Sequence, residues 1–146
     1  GIAWDELAVR ERLGEGASGV IYEARWQSGP AVEAPEKPVA VKLFKGALTS
    51  DGLPHCEMAA CVQAGTHPNL IAVKGHLRHH PAGTKGLVLE LISPTFRTLA
   101  GPPSFATCTR DVYAPGTAFS LGTAVRIARG IAAAAEHLHR RGILHG

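Results

Sequence analysis

No CxxC pair joins the three cysteines, Cys56, Cys61 and Cys108. Their odd number, with no signal-peptide pattern at the N-terminus, argues against a disulfide-framed secreted scaffold and points to reduced thiols in a cytoplasmic setting. Aromatic side chains are scarce, at 5% of the chain, and the formal charge is only +3. Four arginines gather near the end (Arg126, Arg129, Arg140, Arg141) with no aromatics interleaved. They read as the basic face of a helix, and no nucleic-acid partner is expected. The densest apolar run, Ile131 to Ala135, soon meets Glu136 and His137, so no membrane segment is expected. Internal repeats and low-complexity tracts are missing as well. His55, His76, His79 and His80 keep no fixed spacing with the cysteines, and Cys56 and Cys61 would stand about 140° apart around a helix, which argues against a metal site.

What is present fits one domain of 146 residues, large enough to bury a core. The first residue is Gly1 rather than methionine, and the stretch is expected to be part of a longer protein. From Trp4 to about Ile92 short β-like runs alternate with Gly and Pro punctuation. In "VIYEARW", Val20, Tyr22, Ala24 and Trp26 share one face while Ile21, Glu23 and Arg25 share the other, the period of a half-buried strand. A loop with Pro30 and Pro35 leads to "PVAVKLF", a strand apolar throughout apart from Lys42. After a turn at Ser50, Asp51 and Gly52, a short helix is predicted from Pro54 to about Gln63, ending at Gly65. "HPNLIAVKGHL" and "GLVLELI" read as two more strands. The stretch 93–119, with four prolines, reads as a loop with one short helix around Ala106 to Val112. Ser120 should cap a long helix to about Arg141, with Leu121, Ala124, Ala128, Ile131, Ala135 and Leu138 as its apolar stripe.

Three pieces carry chemistry. Gly14, Gly16 and Gly19 in "GEGASGV" have the G-x-G-x-x-G spacing, which dinucleotide-binding folds share. There the glycines open a helix, whereas here a period-two strand follows, so they sit at a hairpin tip. Glycines at these places let backbone N–H groups approach phosphate oxygens. A plain β-turn is the bland alternative. Lys42 is an ammonium in an apolar strand, expensive to bury unless paired, or else a lysine snorkelling to the surface. Glu57, on the next helix, can supply the partner.

Glycine loop, strand lysine, helix glutamate and "HPNLI", followed by "LVLEL" and "HLHRRGILHG", resemble in this order the eukaryotic-type protein kinase domain, with composition hinting at a bacterial member. The resemblance spans nearly the whole chain. It implies an α+β fold: a five-stranded antiparallel sheet with one helix over residues 1–92, then hinge, insert and the first long helix of an incomplete second lobe over 93–146. It implies ATP as ligand, with Leu13, Gly14, Glu15, Gly16, Ala17, Ser18 and Gly19 over the phosphates and Lys42 on them. Val20 and Ala40 would pack on the adenine faces, with Leu89 behind the ring. The Glu90 carbonyl and the Ile92 N–H would bond the adenine edge, and Lys42 with Glu57 would form the catalytic pair. Cys61, Val73 and His145 match positions of a regulatory spine. Gly146 stands where an arginine is usual, implying no arginine contact to a phosphorylated activation loop. The Mg²⁺ ligands and the catalytic aspartate are expected beyond Gly146, so residues 1–146 alone should bind nucleotide weakly and transfer no phosphate. In the complete protein the partner would be a protein substrate phosphorylated on serine or threonine. A nucleotide-binding pseudokinase scaffold is the alternative, disfavoured because the glycines, Lys42 and Glu57 are all intact.

Overall fold

The computed structural model describes residues 1–16, 18–27, 36–46, 53–102, 104–108 and 111–144. Ala17, Pro30, Pro35, the Ser50–Gly52 turn, His145 and Gly146 lie outside the described residues. Among the described residues eight strands and α-helices follow one another: β1 (Ile2–Ala3), β2 (Leu7–Glu15), β3 (Gly19–Trp26), β4 (Lys37–Phe44), α1 (Pro54–Ala64), β5 (Val73–Arg78), β6 (Gly86–Glu90) and α2 (Leu121–His139). They build one sheet in the order β1-β5-β6-β4-β3-β2. All pairings are antiparallel except β1 with β5, which is parallel.

The nearly unbroken apolar sequence of β4 suits a strand flanked on both sides. It lies between β3 and β6, and Val39 and Val41 are fully buried with Ala24 and Val88. These residues, with Ile2, Leu7 and Leu77, form the core on one sheet face, and Trp4, Val9, Trp26 and Leu43 pack against it. Burying the fully enclosed Val39, Val41 and Val88 contributes about 1.5–3 kcal/mol each. The period of two in β3 holds, since Ala24 is buried and Trp26 turns to the core.

Three expectations need correction. The sheet has six strands and is mixed, because Ile2–Ala3 adds a parallel edge to β5. Two residues are too few to carry a periodic signal. Ile2 is held there by filling the space beside Gly75, where its side chain lies 3.3 Å from the position a Cβ would take. The strand expected from His67 begins only at Val73. Pro68 has no N–H to give a ladder, and the His67 carbonyl and ring accept from Leu70 and Asn69 N–H groups instead, closing a turn. The helix around Ala106 to Val112 reduces to a single 3₁₀ turn, Phe105–Thr107, boxed by Ser104 and Thr107. Cys108 then takes a left-handed conformation (φ 53°) that a continuing helix does not allow.

Helix α2 keeps its expected extent and cap. Ser120 caps it as predicted, accepting from the Thr123 N–H. The buried residues, however, are Ala134 and Leu138, whereas Leu121 and Ile131 are 82% and 64% exposed. Ala124 and Ala128 are exposed too. The side turned toward the rest of the described residues carries Ile127, Gly130, Ala134, His137 and Leu138, and polar anchors fasten it there. Asn69 Nδ2 donates to the Gly130 carbonyl (3.1 Å) and His137 Nε2 meets the Ala64 carbonyl (2.7 Å). Neither helix among the described residues is long and apolar enough to cross a membrane.

Candidate active site

The glycine loop is the tip of the β2–β3 hairpin. Gly14 pairs with Ile21 and Glu15 with Val20, and the Gly16 N–H donates to the Gly19 carbonyl across the tip (2.9 Å). The Ser18 carbonyl accepts from the Lys45 N–H (3.0 Å), fastening the loop to the end of β4. Its three glycines serve different ends. A Cβ on Gly19 would overlap the Leu43 carbonyl, so this glycine permits sheet packing. Nothing lies within 4 Å of a Cβ built on Gly14 or Gly16, so these two leave backbone open to a ligand. Glu15 forms ion pairs with both Arg12 and Lys45, which clasps the hairpin to β4. Leu13 is half exposed on β2.

Alternation along β4 puts Ala40, Lys42 and Phe44 on the face opposite Val39, Val41 and Leu43. Cross-strand partners share a face, so Ile21 and Glu23 from β3 and Leu87 and Leu89 from β6 join Ala40 and Lys42. Val73 of β5 pairs with Leu89 and lies on the same side. Lys42 Nζ is hydrogen-bonded to Glu57 Oε1, and its ammonium stands 5.0 Å from the centroid of the Phe44 ring. Both partners of the ion pair are mostly shielded, with side chains 18% and 17% exposed. The other Glu57 oxygen, Oε2, is buried with no hydrogen-bond partner among the described residues.

Helix α1 delivers Glu57 early. Pro54 fits the first helical position, where no N–H is needed, and the Cys56 and Glu57 N–H groups both donate to the Leu53 carbonyl. A carboxylate in the first turn also complements the helix dipole. One turn on, burial pushes the Cys61 thiol up, the Glu57 charge pushes the same way, and Lys42 partly opposes them. Cys61 is thus a protonated neighbour of the pair rather than a nucleophile.

At the end of β6 the Glu90 N–H donates to the Ala72 carbonyl (2.8 Å), and its carboxylate accepts from the Ala72 N–H (3.3 Å). Ile92 is about half exposed, and no hydrogen bond engages its N–H among the described residues.

The sheet therefore brings Ala40, Lys42 and Leu89 together with Glu57, but not Val20. Val20 pairs with Leu43, on the core side, so it cannot share a ligand face with Ala40. Its neighbour Ile21, opposite Lys42, lies on that face instead. The signal was the alternation itself, which groups Val20 with the core residues Ala24 and Trp26.

A family profile described as protein tyrosine and serine/threonine kinase matches residues 7–146. A probable serine/threonine-protein kinase of Dictyostelium discoideum is 28% identical over 144 residues, covering 99% of this chain and 8% of that protein.

Proposed function

This chain belongs to the protein tyrosine and serine/threonine kinase family, and from that membership we propose that the face bearing Lys42 holds ATP. The observation that carries this reading is the shielded Lys42–Glu57 pair on the same sheet face as Ala40 and Leu89. An ammonium has three donors, and one Glu57 oxygen occupies only part of that capacity, leaving Lys42 able to meet phosphate oxygens. Glu57 fixes its position. Open backbone at Gly14 and Gly16 approaches the phosphates. Ile21 and Ala40 offer apolar contact to the adenine ring with Leu89 behind it, and the Glu90 carbonyl and Ile92 N–H bond its edge.

Within the complete protein this half would present the γ-phosphoryl group to a hydroxyl of a protein substrate. Serine or threonine is the choice favoured by the name of the relative, of which this chain spans 8%. When bound, Mg²⁺ supplies charge neutralisation between phosphates. One oxygen of Glu57 holds Lys42 in place for the phosphates. What these residues do is bind, orient and offset charge. Residues 1–146 alone would bind nucleotide and transfer nothing.

Transfer of labelled γ-phosphate by the complete protein to a generic protein substrate tests the reading. Lys42→Met should lower it by about a hundredfold or more. Unchanged transfer with Lys42→Met, or transfer by residues 1–146 alone, would refute it.

A further inference from the structure

Lys42 and Phe44 are two residues apart on β4, so their side chains leave the same face of the sheet. Lys42 Nζ stands over the Phe44 ring, 5.0 Å from its centroid. The face of an aromatic ring carries the negative part of its quadrupole and attracts a cation within about 6 Å, most strongly where water is kept away. Water is largely kept away here, since Phe44 is 5% exposed and the Lys42 side chain 18%. Lys37 also stands over a ring, that of Trp26 at 5.9 Å, but it lies at the exposed start of β4, where solvent weakens the attraction.

Glu57 alone leaves the ammonium loosely placed. One of its oxygens takes one of three N–H directions, and the lysine stem is flexible. A second carboxylate would use another donor and cancel the charge that an anionic ligand needs. An aliphatic side chain would fill the space and offer the charge nothing. An aromatic face holds the cation and leaves the remaining N–H groups free. Burial by itself does not call for an aromatic on this strand, because Val39 and Val41 are enclosed at least as fully.

Phe44 also adjoins the element that brings the carboxylate. It lines a hollow with Leu53, Pro54 and His55, where α1 begins, and the Glu57 N–H donates to the Leu53 carbonyl. The Phe44 N–H donates to the Lys85 carbonyl (3.0 Å), which fixes the strand end from which the ring projects.

We propose that Phe44 is a positioning residue of this site: the face of its ring holds the Lys42 ammonium beside Glu57 and leaves its other N–H groups to an anionic ligand. The consequence for nucleotide binding rests on the ATP reading above, whereas the placement of Lys42 does not.

The test replaces Phe44 in the full chain by a ring-fluorinated phenylalanine. Fluorine keeps the shape of the ring and draws negative charge from its face, so a side chain that only packs would be unaffected. Phe44→Tyr keeps an aromatic face and Phe44→Leu removes it. Without ligand, the protons on Lys42 Cε should resonate upfield of an ordinary lysine in the wild type and in F44Y. That shift should shrink with the fluorinated ring and vanish in F44L. An ordinary resonance in the wild type, or an unchanged shift with the fluorinated ring, overturns the proposal whether or not nucleotide binds. ATP affinity should fall about two- to fivefold with the fluorinated ring, the size of one such contact, and hold in F44Y. Equal or tighter binding with the fluorinated ring, while Lys42→Met still weakens it, overturns the positioning role. No ATP binding in the wild type would refute the ATP reading instead, and the Lys42 resonance then decides on Phe44. Should F44L not fold, the fluorinated ring and F44Y suffice for both readouts.

Discussion

Lys42 is tolerable inside the sheet face because its charge is matched one helix away. Removing that match leaves a shielded carboxylate without its cation. Lys42→Met should therefore cost about 1–3 kcal/mol of stability in addition to its effect on ligand binding, measured by urea unfolding. Next to the pair, Cys61 holds its proton more tightly folded than unfolded, because burial and the Glu57 charge both disfavour the thiolate. The contribution is intact below the ordinary thiol range and lost as pH rises through and above it. At neutral pH, iodoacetamide should label the exposed Cys56 well before Cys61, and Cys61→Ala should flatten the alkaline stability loss. Gly19 and Gly14 look alike in the motif and differ in structure. Gly19→Ala drives a methyl into the Leu43 carbonyl and should cost about 1–3 kcal/mol, whereas Gly14→Ala should stay within about 0.5 kcal/mol in the unliganded chain. The glycine spacing, Lys42 and Glu57 were legible because each departs from its surroundings: open backbone in a hairpin, a charge in an apolar strand, a carboxylate opening a helix. Ile21 was hidden by a one-residue shift, and along a strand one residue is the difference between the two faces.

At the scale of elements, local rules foresaw α1 closely. Pro54 at its start and Gly65, with φ of 65°, at its end set bounds that no tertiary contact had to override. The long helix α2 was foreseen in extent and cap, and Leu121 and Ile131 of its apolar stripe stand exposed. Its alanine-rich sequence offers several stripes of similar hydropathy, and the choice fell to Gly130 and His137, which meet polar partners on the first half of the chain. The buried end and the exposed start should behave differently. Leu138→Ala should cost about 2–5 kcal/mol, and Leu121→Ala should stay within about 0.5 kcal/mol. Amide exchange should be faster over residues 121–128 than over 134–138, a gradient that uniform protection along α2 would contradict. Strand β1 and the turn at His67–Leu70 escaped the sequence for a shared reason: in both, a few residues answer to partners far along the chain or to local side-chain bonds rather than to a repeating pattern.

Over the whole molecule, one sheet sorts its residues by side. One face buries Val39, Val41, Ala24 and Val88, and the other carries Ile21, Ala40, Lys42 and Leu89 toward Glu57. The chain belongs to the protein tyrosine and serine/threonine kinase family, and the proposed ATP site would explain that division of labour, because phosphoryl transfer asks chiefly for positioned charge and open backbone. The most direct measurement is a nuclear magnetic resonance titration of the full chain with ATP, repeated with Lys42→Met. The account predicts saturable shifts at Gly14, Gly16, Ile21, Lys42 and Leu89 to Ile92, none at Val39 or Val41, and affinity weakened about tenfold or more in the variant, the loss of one charged hydrogen bond. Shifts that ignore the substitution, or none at millimolar nucleotide, would contradict it.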